Sequence, residues 1–374
     1  MKIAIDTISL LSPLTGVGNY TYQIARSLKA IDHKNEYSFF YGYYSKQLLS
    51  PGGKQEALLH PKEWVRKIPL LRTAARNLKE FVNIFWTEKF DLYFEPNFIP
   101  LSIPAKRTVA TVADFSFARF PEWHPKERVQ YFQKHFWEKI KRADRIIFIS
   151  DFVKQEAIDL FGFPSEKLTT IYLGFNPEIF RIYRPEDLIS VKKQYSLPEN
   201  FLLFLGSIEP RKNLRNLLLA YLELDESLRK EFKLVLVGFK GWKNEGIMSL
   251  IQKMKEDIFY IGYVPEEDLG KFYSLARVFV YPSFYEGFGL PPLEAMACGC
   301  PVIVSSVASL PEVCGEAAYY VDPHDVHNIV QGLNQVLTDE AQRGFLRVRG
   351  MERAKLFSWG KAAMEHLRVF EQLI

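Results

Sequence analysis

Short apolar runs recur along the chain, each followed by a loop and then by apolar residues at helical spacing, a rhythm that predicts strands alternating with helices. KIAIDTISL opens as a mostly apolar strand, SPLTGVGNY reads as a loop, and YTYQIARSLKAI carries a helical stripe. EYSFFYGYY predicts a second strand, FDLYFEPNFIPL and RTVATVADFSFARFPEWHP predict strand-and-loop pieces, and KERVQYFQKHFWEKIKRA predicts a helix. DRIIFIS is a strand ending at Ser150, and DFVKQEAIDLF a helix capped by Ser150 or Asp151. EKLTTIYLGFNPEIF gives one more strand and a loop, and Phe175 to Lys193, with Pro177 and Pro185, reads as a hinge.

The rhythm restarts near Asn200 with the strand FLLFLGSI, the loop EPRKN and the helix LRNLLLAYLEL, for which Asn213 is a natural cap. KLVLVGFKGW and IFYIGYVPEEDLGKFYSLA supply two further strands. Val278 to Tyr281 is an aromatic strand, Glu286 to Gly289 a glycine-spaced turn, and Leu290 to Gly299 a helix with proline near its start and glycine at its end. Pro301 to Val304 continues as a strand, AAYYVDPHDVHNIVQGLNQVL as a strand and capped helix, and two closing helices end in FSWGKAAMEHLRVFEQLI. The expected fold class is therefore α/β, with two nucleotide-type halves at 1–180 and 195–357.

The length of 374 residues suits two domains of ordinary size. No segment reaches the ~20 apolar residues of a membrane span, and Asp6 interrupts the apolar start, so the first residues read as a buried strand rather than a signal peptide. Cys298, Cys300 and Cys314 are odd in number and lack zinc-knuckle spacing, which points to reduced thiols in a cytoplasmic protein. The net charge of +4 is carried by the first 180 residues, which suits an acidic or membrane-surface partner. Basic and aromatic residues interleave over 62–90, the pattern of a surface helix on anionic lipid or of an ordinary helix with one solvated face.

The candidate chemistry sits in loops. The turn before the Leu290 helix delivers Glu286 beside amides and a helix dipole that favour a phosphate, with Glu294 in the helix's opening turns. On spacing alone the two acids serve equally well as plain complements to that dipole. Arg211 and Lys212 precede another helix, where two cations oppose the dipole unless an anion is bound, so they are expected to meet a ligand or solvent rather than to pack. Gly16-Val17-Gly18 is too short for a dinucleotide fingerprint and reads first as a tight turn.

The pattern Glu, seven residues, Glu within EGFGLPPLEAMACGCPVI closely resembles the signature of family-4-type retaining glycosyltransferases with the GT-B fold. The resemblance covers nearly the whole chain and is diffuse from Glu36 to Leu92. It implies two Rossmann-like domains facing an interdomain cleft, with the terminal helix, about 358–374, returning to the first domain after its Phe-Ser-Trp turn. By the same resemblance Glu286 lies at the donor sugar, Glu294 holds the nucleotide ribose, and Gly287, Phe288, Gly289 and Leu290 offer amides to sugar and diphosphate. Arg211 and Lys212 would hold the diphosphate, with Gly206 and Ser207 close by. Tyr263 and Val264 would border the base, Lys240 lies in the loop skirting the ribose, and Gly16 and Gly18 face the cleft.

The family's His-Asp pair is here Ala113-Asp114, so the imidazole is missing although the backbone carbonyl of residue 113 could still face the anomeric centre; His124 lies further along and does not take that position. The stretches FARFPEWHP and SIEPRKNL look most like bacterial mannosyltransferases of surface polysaccharide assembly. The implied partners are a nucleotide-sugar donor, GDP-mannose first, and a saccharide or lipid-linked saccharide acceptor, with no nucleic acid, no cofactor and no metal. A glucosyl- or other hexosyltransferase, a phosphorylase or epimerase of the same fold, and a silent sugar-nucleotide-binding subunit are the alternatives.

Overall fold

The computed structural model describes residues 1–12, 16–50, 89–242 and 245–374, so most of the basic, aromatic stretch 62–90 lies outside the described residues. Two sheets carry the chain. The first contains β1 (Lys2–Asp6), β2 (Glu36–Phe40), β3 (Tyr44–Ser45), β4 (Phe90–Glu95), β5 (Ala105–Val112), β6 (Arg145–Phe148) and β7 (Leu168–Thr170), in the order β3-β2-β1-β4-β5-β6-β7. The second contains β8 (Phe201–Leu205), β9 (Lys233–Val237), β10 (Ile258–Gly262), β11 (Val278–Tyr281), β12 (Val302–Ser305) and β13 (Tyr319–Val321), in the order β10-β9-β8-β11-β12-β13. Apart from the short antiparallel pair β2 and β3, neighbouring strands run parallel. Parallel strands need crossovers and are buried on both faces, which is why they read as near-continuous apolar runs.

Strand order reverses between β1 and β4 in one sheet and between β8 and β11 in the other. Loops leaving the carboxyl ends of two strands at such a point diverge to opposite faces and leave a crevice, the usual ligand position in an open α/β sheet. Because β8 pairs with β11, Leu202 against Val278 and Leu203 against Phe279, the loops that follow them emerge side by side. Those loops carry Arg211 and Lys212 on one side and Glu286 on the other.

The chain passes between the halves twice, at one place. A Cβ on Gly174 would stand 2.2 Å from the amide nitrogen of Trp359, so the outgoing strand-to-helix crossing lies against the start of the final helix, Trp359–Glu371. Ser358 caps that helix by accepting from the Lys361 amide. Trp359, Ala362, Ala363, Val369 and Phe370 then pack into one apolar core with Ile3, Ile5, Ile24 and Leu28 of the first half.

A buried polar contact keys the return. The Nδ1 of His366 lies 2.8 Å from the Ala362 carbonyl, and its Nε2 2.8 Å from the Tyr20 hydroxyl. A carbonyl can only accept, so Nδ1 carries the proton and Tyr20 donates to Nε2. Burial holds the His366 ring down at about 4, below the ~6.5 of an unfolded histidine. The unfolded chain then binds the extra proton between those values, and stability is lost as pH falls from about 6.5 towards 4. His366→Gln should flatten the fall in thermal midpoint across that window; an unchanged slope would remove His366 as its source.

One expectation for local structure is corrected. The Gly16-Val17-Gly18 segment is not a turn but the first turn of the helix Gly16–Ile31. The hinge read over Phe175 to Lys193 contains the helix Pro185–Gln194, whose proline sits in the first turn, where its missing amide costs nothing.

Candidate active site

The helix Leu290–Ala297 begins after Gly289, whose φ of 110° places it in the left-handed region, a conformation open to glycine at little cost. Ser309 Oγ lies 2.9 and 2.8 Å from the carbonyls of Glu286 and Phe288 and shares its one proton between them. Each trans peptide plane opposes its C=O to the next N–H, so the amides of Gly287 and Gly289 are turned away from Ser309. Pro291 and Pro292 contribute no amide. The donors of this helix end are therefore fewer than the sequence suggests, and the loop amides carry most of any anion contact.

Arg211 and Lys212 do not stand free at a helix end. Arg211 Nη1 donates to Glu286 Oε2 at 2.7 Å and to the Tyr285 carbonyl at 3.0 Å, and its Nη2 donates to Glu209 Oε1 at 2.9 Å. Lys212 Nζ donates to Glu286 Oε1 at 2.7 Å and also meets the Tyr281 hydroxyl. Both carboxylates are almost fully buried, as is Lys212. The expectation that the two cations are unpacked is thus overturned: the reversal of strand order sets two loops side by side, and their opposite charges pair in place of solvent. Burial alone would raise the Glu286 carboxyl, but Arg211 and then Lys212 hold it at about 2. Burial and the adjacent guanidinium draw Lys212 downward, against Glu286 and Glu209.

Asn213 is corrected as well. It stands at the cap position with φ 55° and makes no side-chain cap. Its Nδ2 instead donates to the carbonyls of Pro282 and Pro323, at 2.9 and 2.7 Å, which ties the cation loop to the strand end that delivers Glu286.

Glu294 occupies a separate setting. It is buried in the Leu290–Ala297 helix and accepts from the Tyr273 hydroxyl at 3.2 Å. Burial, with the charge of Glu266 added, pushes its carboxyl up to about 8, so it is largely protonated at neutral pH, unlike Glu286. The idea that both acids merely complement the helix dipole fails for each: one is bound to two cations and the other holds its proton.

The first half closes over this cluster. A Cβ on Gly287 would lie 2.0 Å from the Ala113 carbonyl oxygen, so that carbonyl abuts Gly287 of the loop that carries Glu286. Ser150 Oγ donates to the Gly287 carbonyl at 2.7 Å while accepting from Val153, the cap of Asp151–Phe161. Glu312 accepts from the amides of Asp151 and Phe152 at 2.6 and 2.9 Å, an anion from the second half set on a helix start in the first. Tyr285 reaches across to donate to Glu156 and accepts from the Phe115 amide at 3.2 Å. Arg119 pairs with the same Glu156. Glu209, Tyr285, Glu156 and Arg119 were not singled out from the sequence; only the proximity of Glu209 and Tyr285 to named residues could have flagged them.

The remaining candidates are spread along the carboxyl edges of the sheets. Asp114 Oδ1 accepts from the Ser116 amide and hydroxyl, at 2.9 and 2.7 Å. Gly206 follows β8 and its carbonyl lies 1.9 Å from where a Gly238 Cβ would be, with Ser207 next in the loop. Lys240 is exposed and bridges Ile208 through the backbone. Tyr263 is 75% exposed and Val264 buried, leaving an aromatic face open beyond β10. Gly16 is exposed and Gly18 buried within its helix. Arg211, Lys212, Glu286, Gly287 and Ala113 are brought together; among the described residues Glu294, Lys240 and Tyr263 make no hydrogen bond to them. Among the described residues no three His, Cys, Asp or Glu side chains gather as a metal site. The three cysteines are free and buried, and burial pushes the Cys314 thiol to about 12.

The profile described as Glycosyl transferases group 1 matches residues 186–353, and that described as Glycosyltransferase Family 4 matches residues 14–179. The O-antigen chain mannosyltransferase B of Escherichia coli is 37% identical over the full length of both chains. Among solved structures, sucrose-phosphate synthase from Thermosynechococcus elongatus superposes with a TM-score of 0.73 at 21% identity, covering 100% of this chain and 99% of that one. Anabaena HepE in complex with UDP-glucose superposes with a TM-score of 0.72 at 16% identity, covering 100% of both. Two parallel sheets facing one another, a cation-carboxylate cluster at the strand-order reversal of the second, and full-length identity to a curated transferase agree: the chain belongs to the family-4-type glycosyltransferases with the GT-B fold.

Proposed function

We propose that this protein transfers a mannosyl unit from GDP-mannose to a saccharide or lipid-linked saccharide acceptor during surface polysaccharide assembly, with retention of configuration and without a metal. The observation that carries the reading is the 37% identity to the O-antigen chain mannosyltransferase B along all of both chains. The reaction would take place at the cytoplasmic side, a reducing compartment that suits three free, buried cysteines.

As the bond from anomeric carbon to diphosphate oxygen breaks, negative charge grows on the phosphate. Arg211, Lys212 and the turned amides of the Gly287–Leu290 loop are preorganised to stabilise it, which is why no metal is invoked. In this structure Glu286 occupies both cations. A diphosphate competing for them frees carboxylate capacity on Glu286, which can then accept from hydroxyls of the transferred sugar. The acceptor oxygen attacks from the face the diphosphate leaves, and its proton passes to the departing phosphate oxygen. Incubation with GDP-mannose, GDP-glucose and UDP-glucose, with and without saccharide acceptors, should show turnover of GDP-mannose alone, an α-anomeric product, and no loss on adding a chelator. Turnover of a UDP-sugar instead would overturn the donor assignment. A silent binding subunit, suggested by Ala113, would show binding without even slow hydrolysis.

Glu294 supplies a separate prediction. Ribose hydroxyls donating to it would favour the carboxylate over the protonated form that burial now imposes. Nucleotide binding should therefore release up to about one proton between pH ~5 and ~8. Calorimetry in buffers of different ionisation enthalpy would detect it, and Glu294→Gln should abolish it. The same release in the variant would place the ribose elsewhere.

A further inference from the structure

The short turn Pro121–Trp123 brings His124 back to Asp114. His124 Nε2 lies 3.0 Å from Ser116 Oγ, and that hydroxyl donates to Asp114 Oδ1 at 2.7 Å. A hydroxyl has one proton, and here it goes to the carboxylate; towards the ring Ser116 can only accept. Nε2 therefore carries the imidazole proton and Nδ1 presents a bare lone pair. His124 is 4% exposed, and its Nδ1 has no hydrogen-bond partner among the described residues. A buried acceptor left unpaired costs about 1–3 kcal/mol, so its survival calls for a ligand.

The second half surrounds this ring. Trp242 packs beside it at 6.2 Å between ring centres and donates through Nε1 to the Trp123 carbonyl. Trp123 stacks on Phe284 at 5.9 Å, two residues before Glu286. Arg211 and Glu209 are close enough to act on the ring's charge, as are Arg128 and Asp114 from its own half. His124 thus stands at the junction of the Asp114 loop with the cation-carboxylate cluster.

We propose that His124 supplies the imidazole missing at position 113, its Nδ1 accepting a hydrogen bond from a hydroxyl of the transferred sugar while Ser116 and Asp114 fix the ring. The hydroxyl reaches Nδ1 when the halves part to admit the donor and the Trp242 packing gives way. Burial, and after it Arg128, keep the ring below its usual 6.5, so it is neutral and able to accept. The inference rests on the glycosyltransferase reading above and names a substrate contact within it.

Two isosteres separate the ring's two nitrogens. His124→Gln keeps an N–H where Nε2 donates to Ser116 and has no acceptor at Nδ1; His124→Asn keeps an acceptor at Nδ1. In kcat/KM with the donor, His124→Gln should lose on the order of ten- to a hundredfold, and His124→Asn should recover most of it. Donors deoxygenated at each sugar hydroxyl in turn should include one for which wild type and His124→Gln are equal. Wild-type rates for His124→Gln, or a ratio unchanged by every deoxygenation, would overturn the proposal. Should either variant fail to fold, the wild-type profile decides: kcat/KM should fall on the acid side as Nδ1 is protonated, and a profile with no acid limb over the whole range in which the protein stays folded refutes it. A wild type that turns over no nucleotide sugar removes the glycosyltransferase reading and this contact together, a result distinct from an active wild type matched by His124→Gln.

Discussion

Lys212→Ala should cost this protein both its transferase activity and a large share of its stability. Lys212 and Arg211 are the two cations bonded to Glu286, which is 6% exposed. Removing one partner of a buried ion pair strands charge in a poorly solvated place, at a cost of about 3–5 kcal/mol. Donor turnover should fall by at least about a hundredfold, since a preorganised charge on the leaving diphosphate is lost. Adding Glu286→Gln to Lys212→Ala takes away the stranded charge. The double variant should regain most of the thermal midpoint while turnover stays low. Strictly additive stability losses would mean the pair is not coupled. The pH dependence has a sign of its own. Glu286 is held at about 2, below its ordinary 4.5, so its contribution is present above about 4.5 and is lost as pH falls towards 2. The Glu286→Gln protein should lack that part of acid unfolding.

Gly287→Ala should disable the enzyme through space alone. The added Cβ would stand 2.0 Å from the Ala113 carbonyl oxygen and 3.1 Å from Asp114 Cβ, and backbone atoms have no rotamer by which to retreat. The halves must separate locally, breaking the 2.7 Å bond from Ser150 to the Gly287 carbonyl and shifting the loop that carries Glu286. A misplacement of about 1 Å at a reacting centre costs on the order of a hundredfold in rate, and that is the expected fall in kcat. Gly344→Ala is the control, because it lies inside the helix Glu340–Ala354, nothing lies within 4 Å of its Cβ and a helical alanine gains up to about 1 kcal/mol. Wild-type kcat in Gly287→Ala would show that closure at this contact is not needed for transfer.

Much of the architecture was legible because parallel strands and amphipathic helices write their periods into the chain. FLLFL, KLVLV and VFVY are apolar runs because both faces of a parallel strand are covered. The Leu290–Ala297 helix was marked by its flanking glycines and opening prolines. Two local errors have local causes. Gly16 and Gly18 looked like a turn because glycine weakens helices, yet tertiary packing of the Gly16–Ile31 face overrode that preference. Asn213 looked like a cap by residue type, but its amide was claimed by two carbonyls distant in sequence.

The alternation of strands and helices, the family signature around Glu286 and Glu294, and alanine rather than histidine at position 113 can all be read along the chain. What those groups do to one another depends on how the chain folds back on itself. Glu286 and Glu294 sit eight residues apart with the same side chain, yet one is ionised between two cations and the other is pushed up to about 8. Ionisation depends on which charges stand within a few ångströms, and that distance is set by strand order, which no spacing along the chain encodes. The same holds for His124, ten residues beyond Asp114 in sequence and one hydroxyl away from it in space.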